Sequence, residues 1–161
     1  MGMDTLARRS LLVAQGFVAV TAIAGGTAIV VGAMSPAMAT VLSPPPAYLE
    51  GSPFSSYLVP GLALAGLLGG IHVVAFITLL RRYRWSLLIS AAAAFATLIW
   101  IFVQMMFIPF SFLQAVYFVA GLAEAGLIMV LLGLFTRPAT AGQLAVSTAL
   151  PVSTGSTGSA T

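Results

Sequence analysis

Four runs of apolar residues, at 10–33, 58–80, 85–108 and 112–135, each closed by a proline or an arginine, constrain this chain more than any other feature. A hydrocarbon layer about 30 Å thick is crossed by roughly 20 helical residues. Backbone inside that layer must satisfy its own polar groups, which a helix does. The predicted fold is therefore all-α and integral to a membrane, an antiparallel bundle of four transmembrane helices. Composition agrees: 6% of the 161 residues are charged, against about 25% in a soluble domain.

The connections at 81–84 and 109–111 are so short that consecutive spans must be antiparallel neighbours. If the N-terminus is cytoplasmic, Arg8, Arg9, Arg81, Arg82, Arg84 and Arg137 all fall on the cytoplasmic side. That satisfies the positive-inside rule and puts both termini in the cytoplasm. Residues 1–9 are then a short polar N-terminus, and 136–161, rich in Ala, Ser, Thr and Gly, reads as a disordered cytoplasmic tail. The first run has a rival reading as a cleaved signal, because Arg8-Arg9 precede it and Ala37-Met38-Ala39 has the small-x-small form. Its length exceeds a signal core of about 7–15 residues and favours a retained first helix.

Residues 34–57 carry Pro36, Pro44, Pro45, Pro46 and Pro53 and are predicted as an extended, non-helical extracytoplasmic loop. Tyr48, Phe54 and Tyr57 within it are expected to anchor at the headgroup level, with a cap folded over the outer mouth of the bundle as the alternative.

In lipid, helices pack through small residues and interhelical hydrogen bonds, so stripes of Gly, Ala, Ser, Thr and amides mark the interior. At 100° per residue the stripes are Gln15, Ala19, Ala22, Gly26 and Ala33 on the first helix and Gly61, Ala65, Gly69 and His72 on the second. On the third they are Ser86, Ser90, Ala93, Thr97, Trp100 and Gln104, and on the fourth Tyr117, Ala120, Gly121, Glu124 and Ile128. A rise of about 1.5 Å per residue puts His72 roughly 21 Å and Glu124 roughly 18 Å below the outer ends, near the midplane. Gln104 and Tyr117 lie only about 6–8 Å down. Two polar layers are expected, an inner one pairing His72 with Glu124 and an outer one pairing Gln104 with Tyr117.

A lone carboxylate inside an apolar helix costs roughly 2.5–3.5 kcal/mol on insertion scales and marks a candidate site with an interior partner. A His–Glu pair can share a proton as a relay, or merely hold two helices in register. Either role requires the two side chains to face inward and lie within about 8 Å, the reach of a one-water bridge. Other chemistries lack their parts. The chain has no cysteine and one histidine, which removes thiolate metal sites, disulfides and bis-histidine haem. His72 with Met105, Met106 or Met129 is a formal haem pair only, since methionines in apolar helices read as packing. His72 and Glu124 are too few to hold zinc, and no basic cluster with interleaved aromatics suggests nucleic acid. No cofactor and no metal are expected.

The segments Gly51-Ser52-Pro53-Phe54-Ser55-Ser56-Tyr57-Leu58-Val59-Pro60-Gly61, Gly69-Gly70-Ile71-His72 and Ile99-Trp100-Ile101-Phe102-Val103-Gln104 together resemble small four-span membrane proteins of high-GC Gram-positive bacteria. The layout is also similar to the DoxX-like group. The resemblance implies a four-helix bundle in a bacterial plasma membrane and brings no catalytic residue with it. Taken with the small-residue faces, it leads us to expect a non-enzymatic bundle that acts by association, with a second copy or a partner membrane protein in the lipid bilayer. The alternative is an oligomeric proton or small-solute pathway through Gln104, Tyr117, His72 and Glu124. An enzyme acting on lipid or quinone ranks last, because only His72 and Glu124 could do acid–base work.

Overall fold

The computed structural model describes residues 2–134. The expected disordered tail and the topological role of Arg137 lie outside the described residues. Helix α1 runs Met3–Met34, α2 Pro36–Leu42, α3 Leu58–Leu80, α4 Ser86–Phe107 and α5 Phe112–Leu131. A 3-10 turn at Pro46–Leu49 lies in the loop, and no strand occurs among the described residues. Four of these helices, α1, α3, α4 and α5, are long and apolar enough to cross a membrane.

Helix α1 starts at Met3, so most of the segment expected to be a polar N-terminus is helical. Asp4 lies in its first turn, where a carboxylate complements the helix dipole, and no proline or glycine interrupts residues 3–15. The extension is packed: Ala7 and Leu11 are buried, and the Arg8 guanidinium donates to the Leu79 carbonyl at the end of α3.

The loop also departs from expectation, because Pro36–Leu42 is helical. Pro36 occupies the first turn, where its missing N–H is no loss, and the six residues after it contain neither proline nor glycine. Only the run Pro44-Pro45-Pro46 ends the helical path.

The four long helices close into a ring in which α1 packs on α3 and α5, and α4 packs on the same two. Helices α1 and α3 approach most closely at glycine: a Cβ on Gly26 would stand 2.5 Å from the Ala65 backbone nitrogen and 2.6 Å from the Gly61 carbonyl oxygen. Gly69 packs under Ile23 and Gly121 under Leu98 in the same way. Between Leu62 and Gly70, α3 departs from the α-helical pattern with a π-helical segment at Ala63–Gly69. The inward faces follow the small-residue stripes with one exception: Ala33 is exposed, and Gly32 is buried instead beneath Leu42 and Ser43 at the end of α2.

At one end of the ring Arg8 and Arg9 stand beside the turn carrying Arg81, Arg82 and Arg84. Arg82 adopts φ 55° in that turn, and Arg84 lies 4.5 Å over the Trp85 ring. Inward of the arginines Leu11, Leu79, Ala94 and Ile128 form a solid apolar cluster. At the opposite end residues 35–57 fold over the bundle.

Candidate functional site

His72 and Glu124 are both fully buried, and His72 Nε2 lies 3.4 Å from Glu124 Oε2. Two further contacts define the histidine. Its Nδ1 lies 2.8 Å from the Leu68 carbonyl oxygen, one turn back along α3, and Nε2 lies 3.1 Å from Thr97 Oγ1 on α4. A carbonyl only accepts, so Nδ1 carries a hydrogen and donates. The Thr97 hydroxyl is also 3.3 Å from the Ala93 carbonyl oxygen, to which it can donate. It has one hydrogen and so can donate to Ala93 or to Nε2, but not to both.

Two arrangements satisfy these distances. In the ion pair, an Nε2–H points between Glu124 and Thr97 while Thr97 donates to Ala93. In the neutral arrangement, Nε2 accepts from Thr97 or from a protonated Glu124. They differ by one proton moved within a single cluster on α3, α4 and α5. Among the described residues neither Glu124 oxygen has a hydrogen-bond partner, and the carboxyl's ion-pair contact is with the imidazole.

A second polar contact lies about two helical turns closer to the arginine end. Gln15 Nε2 on α1 donates to Ser90 Oγ on α4 at 2.7 Å, with both residues fully buried and Gln15 Oε1 unpartnered.

The outer pair differs from the sequence expectation. Gln104 and Tyr117 line one cavity of about 250 Å³, together with Trp100, but no hydrogen bond joins them. Tyr117 instead packs its ring against Phe17 of α1, with centroids 6.1 Å apart. Gln114 lines the same cavity and forms a capping box with Ser111 at the start of α5. The loop forms part of the enclosure, since Pro44 lines the cavity beside these side chains. Tyr57 is buried, and its hydroxyl donates to the Pro45 carbonyl at 2.6 Å. Tyr57 is therefore a packing residue of a cap, where the sequence suggested a headgroup anchor. Burial, reinforced by Tyr48, pushes its phenol above the ordinary tyrosine range.

Sequence reasoning missed Thr97 as a member of the inner cluster, and it missed the Gln15–Ser90 contact. The signal for Thr97 was available: it lies on the polar stripe of α4 at about the depth of Glu124 by the same rise per residue. Gln15 and Ser90 were on inward stripes, but nothing local to either run shows that they meet. The expected arginine grouping can be traced for Arg8, Arg9, Arg81, Arg82 and Arg84, all at one end of the ring.

Among the described residues no three or more His, Asp or Glu gather as a metal-holding group. The cluster can hold or transfer a proton between its side chains, and the one hydroxyl beside its histidine, Thr97 Oγ1, is fully buried. No protein-family model, curated protein or solved structure matches this chain.

Proposed function

We propose that this chain is a multi-pass protein of a bacterial plasma membrane, with both termini in the cytoplasm, that acts without covalent chemistry by associating through a helix face. The observation that carries this reading is a pair of glycines with no internal use. Gly66 and Gly70 lie one turn apart on α3, and a Cβ built on either meets no neighbouring atom within 4 Å, whereas Gly61 and Gly69 of the same helix are packed hard against α1. Leu62, Leu67 and Val74 beside them are 55%, 68% and 50% exposed, so the glycines lie on an open apolar surface. Glycines four residues apart allow two helices in lipid to come into backbone contact. The occupant is a second copy or a partner membrane protein.

The test is the double substitution Gly66→Leu/Gly70→Leu, which fills open space and leaves the monomer's packing alone. The wild-type protein is expected to crosslink and sediment as an oligomer in detergent, and the variant as a monomer with unchanged helicity. A wild-type protein that stays monomeric at every concentration removes the second copy as occupant, and a variant that assembles equally well refutes the proposal.

A second reading, a proton pathway in an oligomer, is favoured by the fully buried Glu124 carboxyl with no hydrogen bond besides its histidine contact. Against it stands the apolar cluster of Leu11, Leu79, Ala94 and Ile128, which separates that pair from the arginine end. Glu124→Gln in liposomes decides: proton flux that depends on Glu124 supports the pathway, and equal flux without it removes the pathway.

A further inference from the structure

We infer that the loop-roofed cavity at the outer end of the bundle binds one neutral, two-lobed amphiphile, a largely apolar molecule with a hydrogen-bonding group and no formal charge. The first chamber, about 250 Å³, is larger than the apolar cavity of about 150 Å³ known to admit a benzene ring. A second chamber of about 190 Å³ adjoins it, sharing Pro44, Leu64, Trp100 and Gln104 as lining and extending to Phe54 and Phe107 under the loop. A two-lobed molecule fits this plan better than a compact one.

The lining decides the charge. Among the described residues no Asp, Glu, Lys, Arg or His lines either chamber. An ion entering would lose its hydration without gaining a counter-charge, which is prohibitive in apolar surroundings. Polar recognition is nevertheless provided: Gln104, Tyr117 and Trp100 line the first chamber, and no hydrogen bond within the described protein engages their side-chain polar groups. Ligand sites are commonly of this kind, mostly apolar with a few placed polar groups.

Two features indicate a cavity built into the fold, where a mere packing gap would have neither. Leu64 and Leu68 on its wall belong to the π-helical stretch Ala63–Gly69, a distortion that recurs at functional sites. Its roof is fixed by the Tyr57–Pro45 hydrogen bond, which holds the polyproline segment over the opening. The cavity is separate from the Gly66/Gly70 surface, so the two readings stand or fall independently.

The test uses the full chain in nanodiscs with Trp85→Phe, which leaves Trp100 as the only tryptophan. The probe is N-phenyl-1-naphthylamine, a neutral two-lobed amine that accepts energy from tryptophan. Its matched control is 1-anilinonaphthalene-8-sulfonate, which has the same skeleton with a fixed negative charge. Gly25 lines the first chamber, and a Cβ there meets only Leu64 Cδ2 at 3.9 Å, so Gly25→Phe projects a ring into the space.

The expected result is saturable energy transfer at one probe per chain, abolished by Gly25→Phe and weakened about fivefold by Gln104→Leu, the value of one hydrogen bond. The sulfonate should give no saturable component. Uptake of the probe by lipid is the same for every variant, so differences between variants report the cavity. Equal saturable transfer in Gly25→Phe, equal saturation by the sulfonate, or transfer that rises without saturation overturns the inference. Should Gly25→Phe lose its helicity, Gln104→Leu and Tyr117→Phe carry the test, and unchanged affinity in both overturns it.

Discussion

At the scale of single residues, hydrogen-bond accounting at His72 does more than its charge. Because Nδ1 donates to the Leu68 carbonyl, proton gain or loss is confined to Nε2, the nitrogen facing Thr97 and Glu124. The neutral histidine is expected to be the Nδ1–H tautomer, read directly from the two ring ¹⁵N shifts; a neutral Nε2–H tautomer would contradict the geometry. The energetic counterpart is a double-mutant cycle. His72→Ala leaves Glu124 buried without its only polar neighbour and is expected to cost about 1–3 kcal/mol, the penalty of an unsatisfied buried group. Glu124→Gln should cost less, and the double variant should lose less than the sum. Strict additivity in reversible unfolding would show that the 3.4 Å contact carries no coupling.

At the scale of elements, the α1–α3 seam and the loop cap each have one critical residue. Gly26→Leu must push its side chain into the backbone of Gly61 and Ala65, so it is expected to lower stability by about 1–3 kcal/mol or to prevent assembly of the bundle. Thermal unfolding in detergent measures this, with Ala24→Leu at an exposed position of the same helix as the comparison. The cap depends on Tyr57. Its phenol is raised in the folded protein, so the stability it contributes is fully present below the ordinary tyrosine value of about pH 10. That contribution should fall as pH rises through the folded value. Titration of absorbance near 295 nm should show a late phenol component that Tyr57→Phe removes.

The same elements show where local reading works. The start of α5 is announced by Ser111 and Gln114, a capping box readable from the two residue types and their spacing. The helix Pro36–Leu42 was hidden because proline density was counted over the whole loop, while a single Pro36 in the first turn is compatible with helix.

At the scale of the whole molecule, the distribution of arginine is the main asymmetry. Arg8 and Arg9 on α1 and Arg81, Arg82 and Arg84 after α3 share one end, and the proline-rich cap occupies the other. The proposed orientation can be tested cleanly because the chain has no cysteine. In intact cells a membrane-impermeant maleimide is expected to label Ser52→Cys in the loop and to leave Thr5→Cys unlabelled until the membrane is opened. The opposite pattern would invert the topology.

What the sequence by itself determined is the set of long helices and the face each turns inward, since run length and the period of small and polar residues are properties of one segment. How those faces meet was decided only by the tertiary structure. The vertical register of α1 against α3 is set by close backbone approach at Gly26, where Gly61 and Ala65 of α3 come against it. Register brought Thr97 to the His72–Glu124 pair and joined Gln15 to Ser90, while Gln104 and Tyr117 came to line a cavity without a hydrogen bond between them. Depth along a helix can be counted from its end, but contact between helices depends on backbone approach and on a loop folding back, and neither is encoded in any single run of the chain.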